Sequence, residues 1–282
     1  VLAQKDDGYH WNSAIVMAII CTMTTIMICR ANLGTDYDSL WYSYRSQYVL
    51  APEHGIFDKL TMVACVYNYP KGIETFSLPF SGLNTYSYLI GINIAFAIML
   101  LFTGYKTARS LGVGGQISIL VPLMLTLTPA ITNSAITGKG DISYFYIQTV
   151  AVFLAIKALQ SGEGTYYLAA FSMLLFSFAF KSTSLLFSSL MIVVLIAFWV
   201  IKRPKGTFHN PAIVLFPIGG LLVTVLKTWV VTGYPINTLV TSVFQKIGIP
   251  SNYPFTFPSA RVTSVDTLLT DLLKERASRL FR

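Results

Sequence analysis

Seven continuous apolar runs, at residues 13–29, 86–105, 117–135, 142–159, 166–180, 184–201 and 211–231, constrain this chain more than any other feature. A helix of roughly 20 apolar residues crosses the hydrocarbon core of a bilayer with every backbone amide satisfied inside the segment. The strands of a membrane barrel would instead alternate apolar and polar residues over about ten positions, and these runs do not alternate. Charged residues make up 11% of the sequence, against roughly 25% in soluble domains, too few to clothe a surface in water. The expected architecture is an all-α, polytopic transmembrane helix bundle of about seven spans over residues 1–255, followed by a basic amphipathic tail at 256–282.

Several spans carry internal punctuation. The third run contains Pro122 and Pro129, tolerated in a span where neighbouring helices satisfy the freed carbonyls, and the seventh contains Pro217 and the pair Gly219-Gly220, the expected kink points. The fifth and sixth runs meet at Lys181 with almost no loop between them. Joined, they would be far longer than a bilayer needs and would put a lysine at mid-membrane, at an insertion cost of about 2.5–3.5 kcal/mol. A tight reversal at Lys181-Ser182-Thr183-Ser184 is therefore expected.

With seven spans the loops alternate between two sides. One set holds Lys106 and Arg109, then Lys157 near Glu163, then Lys202, Arg203 and Lys205. The other holds Lys139 with Asp141, then Lys181, then the stretch from Thr232 onward. The denser basic flanks make the first set cytoplasmic by the positive-inside rule, so the long segment 31–85 lies outside. That segment carries Asp36, Asp38, Glu53, Asp58 and Glu74, and the next acidic residue, Asp141, is on the same side. Solvated loop charge accounts for most of these. Asp141 stands at a helix start, where it serves either as a cap and dipole complement or as part of a site. Asp36 and Asp38 stand where the first span emerges, at headgroup depth.

The outer segment has its own pattern. Tyr37, Leu40, Trp41, Tyr44, Tyr48 and Leu50 recur at helical spacing, which predicts an amphipathic helix on the membrane surface with its aromatics in the headgroup layer. A turn at 52–55, a short apolar element at 56–66, and a second at 73–78 opening on Glu74 follow.

Other function classes are excluded or weakened. The net charge of +8 comes from lysines and arginines scattered between spans and in the tail, where topology and anionic headgroups explain them and nucleic acid does not. Cys21, Cys29 and Cys65 lack metal-ligand spacing, and no cleavable signal peptide is apparent before the first run. Gly138-Lys139-Gly140 lacks phosphate-loop spacing, and neither HExxH nor GxSxG occurs. A transporter would place ionisable groups at mid-membrane and commonly shows repeated halves. Lys227, near one end of its run, is the main such group, and no internal repeat is evident. Carboxylates at bilayer-edge depth can take a proton from an acceptor or bind a divalent cation, and the lysines beside them can neutralise a phosphate.

Five short motifs stand in order along the chain: TDYDSLWY at 35–42, VYNYPKGIE at 66–74, TGKGD at 137–141, FAFKSTS at 178–184 and TGYPI at 232–236. In that order, over roughly residues 9–255, the chain resembles the GT-C superfamily of polytopic membrane glycosyltransferases, in particular bacterial relatives of protein O-mannosyltransferases and aminoarabinose transferases. The resemblance implies inverting transfer of a sugar from a polyprenyl-phosphate-linked donor to an acceptor, on the periplasmic or exterior face of a bacterial plasma membrane. It implies that Asp36 or Asp38 is the general base, with Asp141 a second acidic group positioning acceptor or metal. It also implies that Lys139 and Lys181 hold the lipid phosphate, joined by Lys71 and Glu74 as substrate-binding candidates. Such enzymes usually have more than seven spans, so a truncated member is expected. The competing expectation is a non-catalytic subunit of a membrane complex, or a transporter.

Overall fold

The computed structural model describes residues 11–30, 39, 57, 70–80, 87–206, 212–236 and 241–249. Each apolar run appears there as a helix or a bent helix pair: α1 (Trp11–Cys29), α3 (Ser87–Ser110), the pair α5 (Leu120–Leu127) and α6 (Pro129–Ala135), α7 (Asp141–Ser161), α8 (Gly164–Phe178), α9 (Ser184–Lys202) and α10 (Ala212–Thr232). Short helices α2 (Gly72–Ser77), α4 (Gly115–Ser118) and α11 (Thr241–Lys246), with a 3-10 turn at Leu78–Phe80 after α2, complete the described elements. Among the described residues four helices are long and apolar enough to cross a membrane, and five if the pair bent by 65° at Thr128 is one span. The helices over 14–29 and 164–178 are apolar but shorter. The predicted surface helix near Trp41, the short element at 56–66 and the basic tail lie outside the described residues.

Local chemistry explains the breaks. Pro129 occupies the first turn of α6, where a missing N–H costs nothing, and Thr128 before it is extended, as a residue preceding proline prefers. Pro217, by contrast, sits inside a continuous α10. Hydroxyls within the helices are satisfied one turn back: Thr22 Oγ1 donates to the Ala18 carbonyl at 2.8 Å, and Thr107 and Thr224 do likewise with Thr103 and Gly220. The reversal expected at Lys181 is present, since α8 ends at Phe178 and α9 starts at Ser184.

Packing is the inverse of a soluble protein. Asn93, Ser143, Gln148, Ser172, Ser177 and Ser188 are buried, while Met124, Leu186, Leu190, Val193, Ile201 and Phe216 face outward. Such an apolar exterior is untenable in water and suits lipid. The short helix α8 sits centrally, against α7, α9 and α10, and α7 in turn packs on α3. Ala151, Ala155 and Ala158 of α7 meet Tyr167, Ala170 and Leu174 of α8, where small residues let the backbones approach. Ser172 Oγ donates to the Ile213 carbonyl at 2.7 Å, fastening α10 to α8.

The loops separate to two ends. At the basic end, Gln160 of α7 donates to the Ser110 carbonyl of α3, and the Gly164 N–H donates to the Lys205 carbonyl at 2.7 Å. At the opposite end a second core joins Met27, Ile73, Leu89, Ile90, Ala135, Ile142 and Phe180. Phe96 is its hub, with ring centroids 5.9 Å from Phe76, 5.6 Å from Tyr146 and 6.4 Å from Phe180. Phe96→Ala should lower stability by about 3 kcal/mol. Phe216→Ala, on the outward face, should change it by less than about 0.5 kcal/mol. Thermal unfolding of both variants in one detergent provides the comparison.

Candidate functional site

Three segments far apart in sequence meet at the end opposite the basic loops: residues 70–74, 136–141 and 179–184. Two glycines make the approach possible. The Gly72 N–H donates to the Ala179 carbonyl at 2.9 Å, and a Cβ on Gly72 would lie 2.6 Å from that same oxygen. A Cβ on Gly140 would lie 3.3 Å from the Phe180 carbonyl oxygen and 3.5 Å from Ile73 Cγ2. Both segments thus rest on the backbone of the α8–α9 turn.

Asn93 holds the loop before α7. It is fully buried on α3, and its Nδ2 donates to the Thr137 carbonyl at 2.7 Å and the Lys139 carbonyl at 2.6 Å. The Gly138 N–H donates to Ser39 Oγ at 2.7 Å, which ties the TDYDSLWY motif to the TGKGD motif. The TGYPI motif is packed at the end of α10. Gly233 adopts φ 81° and its N–H donates to the Trp229 carbonyl at 2.8 Å, and Tyr234 is buried against the Phe244 ring.

Asp141 and Lys181 form an ion pair across this junction, Lys181 Nζ donating to Asp141 Oδ1. Gly140, not Asp141, is the N-cap of α7. Asp141 is the first helical residue, where its charge complements the helix dipole. The Lys181 ammonium also lies 5.7 Å from the centre of the Tyr144 ring, one turn further along α7. Side-chain exposures of 36% for Lys181 and 26% for Asp141 leave the pair reachable from outside the protein.

A second pair lies beneath it. Lys71 Nζ is 3.5 Å from Glu74 Oε1, with each side chain only 5% exposed. Glu74 Oε2 is buried and has no hydrogen-bond partner among the described residues. Lys227, half-buried on α10, is within electrostatic reach of both Lys71 and Glu74. Lys71→Met would leave the Glu74 carboxylate buried without its partner and should cost about 3 kcal/mol. Adding Glu74→Met should restore most of the loss, and unfolding of the single and double variants measures the difference.

Of the seven residues singled out from sequence, Asp141 and Lys181 are brought together, as are Lys71 and Glu74. Contact between Gly140 and Ile73 links the two pairs. Lys139 is half-buried in the loop that Asn93 holds. Asp36 and Asp38 lie outside the described residues. Asn93 and Tyr144 went unrecognised in the sequence. An asparagine inside an apolar span was a usable signal, because a polar side chain at that depth requires a partner. Among the described residues no three His, Cys, Asp or Glu side chains stand together.

No protein-family model matches the chain, and comparison with the curated proteins and with the solved structures finds no similar protein. The fold is that of a multi-helix, apolar protein consistent with an integral membrane protein.

Proposed function

We infer that the chain is a membrane glycosyltransferase of the GT-C type, with seven spans, acting at the end of the bundle where the motifs meet. It moves a sugar from a polyprenyl-phosphate-linked donor to an acceptor on the exterior face of a bacterial plasma membrane. The observation that carries this reading is the partly exposed Asp141–Lys181 pair, which joins two motif segments at the rim of an apolar bundle. A lipid-anchored anion reaching that rim competes with Asp141 for Lys181. As Lys181 turns to the phosphate, it stabilises charge on the leaving group. The carboxylate it releases is then open to accept the proton of an acceptor hydroxyl. Lys139 adds positive charge beside the same rim, and Asp36 or Asp38 supplies the second carboxylate.

The decisive measurement is transfer of labelled sugar from a polyprenyl-phosphate donor by the chain in liposomes. Asp141→Asn, Asp36→Asn and Asp38→Asn are compared with the unaltered protein. Unaltered transfer in all three variants rejects the assignment. A subunit role draws its support from the buried Lys71–Glu74 pair, which can act purely as a structural tie. Solute flux or complex assembly without any sugar transfer would favour that class.

A further inference from the structure

The basic end carries a charge imbalance that the proposed sugar chemistry, at the other end, does not use. Lys106, Arg109, Lys157, Lys202, Arg203 and Lys205 gather there with Glu163 as the sole carboxylate among the described residues. Part of this charge is committed to the fold: Arg109 Nη1 donates to the Val113 carbonyl at 3.1 Å, and Lys205 and Glu163 share a backbone bridge.

Lys106 and Lys157 are held differently. On α3 the Lys106 ammonium lies 5.3 Å from the centre of the Phe102 ring. On α7 the Lys157 ammonium lies 5.9 Å from the centre of the Phe153 ring. The same Phe-x-x-x-Lys device thus occurs on two packed helices that run in the same direction, since Asn93 of α3 is bonded to the loop before α7 and Ser110 of α3 to Gln160 near the end of α7. Helical side chains lean toward the N-terminus of their helix. At the C-terminal ends of α3 and α7 that lean carries both ammonium groups back toward the hydrocarbon, where the rings at i−4 receive them. A lysine that snorkels would extend the other way, into water. Neither ammonium meets a carboxylate among the described residues. Phe102 is 63% exposed on the outward face, so its lysine stands at the lipid boundary.

We propose that Lys106 with Phe102, and Lys157 with Phe153, bind the phosphate groups of anionic phospholipids in the leaflet at the basic end. The phosphodiester supplies the missing counter-charge at the depth where the ammonium groups sit, and the acyl chains cover the exposed Phe102 ring and the outer part of the half-buried Phe153 ring. The surrounding cation excess favours a lipid whose headgroup carries net negative charge. This site is separate from the motif-bearing end, and its test does not depend on sugar transfer.

The experiment places the full chain in phosphatidylcholine vesicles and measures the relative association of spin-labelled phosphatidylglycerol and spin-labelled phosphatidylcholine. The unaltered protein is expected to prefer phosphatidylglycerol. Lys106→Gln and Lys157→Gln should each lower the preference about fivefold. Lys106→Arg and Lys157→Arg should keep it, which separates charge loss from misfolding. Phe102→Leu, which removes the ring and leaves the charge, should lower it by a smaller factor. Three outcomes overturn the proposal: no preference in the unaltered protein, an equal loss from Lys202→Gln, or abolition by millimolar inorganic phosphate but not by chloride at matched ionic strength. The last would identify a free-anion site.

Discussion

Asp141→Asn is expected to lower sugar transfer at least a hundredfold, about the smallest contribution a positioned general base makes, while leaving the fold intact. The two effects separate because of where the pair sits. With the side chains 26% and 36% exposed, the ion pair contributes at most about 1 kcal/mol to stability. A merely structural pair would therefore show normal transfer and a small shift in unfolding. A catalytic carboxylate shows normal unfolding and lost transfer. Lys181→Met sharpens the distinction. It keeps the Asp141 side chain but removes the cation that would meet the donor phosphate, so it should raise the donor concentration needed for half-maximal rate as well as lower the rate. Lys181→Arg should recover part of the loss, since a guanidinium also pairs with phosphate. Initial rates against donor concentration, with unfolding curves for each variant, distinguish these outcomes.

Gly72→Ala is expected to be the most disruptive single methyl group that can be added at this end of the bundle. The new carbon would stand 2.6 Å from the Ala179 oxygen, 2.9 Å from the Ala179 carbonyl carbon and 3.0 Å from Phe180 Cα. All three atoms are backbone, held between α8 and α9, so no side-chain rotation relieves the clash. Either α2 lifts away, losing the Gly72–Ala179 hydrogen bond and exposing the Lys71–Glu74 pair, or the turn beneath it moves and carries Lys181 off Asp141. Either route should cost about 4 kcal/mol or more, in the range reserved for core disruption. Gly91→Ala is the control, because nothing lies within 4 Å of a Cβ there. Thermal unfolding of the two variants, with protease sensitivity of the 70–80 segment, checks the expectation.

Helix positions were legible because the apolar runs are continuous and are bounded by charge or proline. Lys181 marked the α8–α9 turn for that reason, and Asp141 marked the start of α7. Pro129 was expected to be tolerated within one span, and the structure breaks the helix there. The difference lies in Thr128, whose extended backbone follows from preceding a proline and cannot be gauged from the apolar pattern alone. The expected gathering of TGKGD and FAFKSTS on one side is seen as direct contact, but the partners came from residues with no pattern to reveal them. Asn93 reads as one polar letter in an apolar run, and its two carbonyl partners lie more than forty residues away. Lys71 and Glu74 were noted separately, although a spacing of three residues on a helix is itself a pairing signal. Lys227 was noted only as the main ionisable group inside a run, and it lies within electrostatic reach of the buried pair.

The shortness of α8 has a consequence for how the motif segments meet. At 15 residues against 21 in its neighbour α7, it advances about 9 Å less, since each residue advances a helix by about 1.5 Å. The residues between α8 and α9 make up the difference, bringing the Phe180 carbonyl against Gly140 and Lys181 onto Asp141 at the start of α7. Irregular backbone therefore stands where a longer helix would have placed its last turn, and it offers main-chain groups that a helix keeps for itself. The Ala179 carbonyl is one of them: it accepts from the Gly72 N–H, and one further turn of α8 would have taken it into the helix's own ladder.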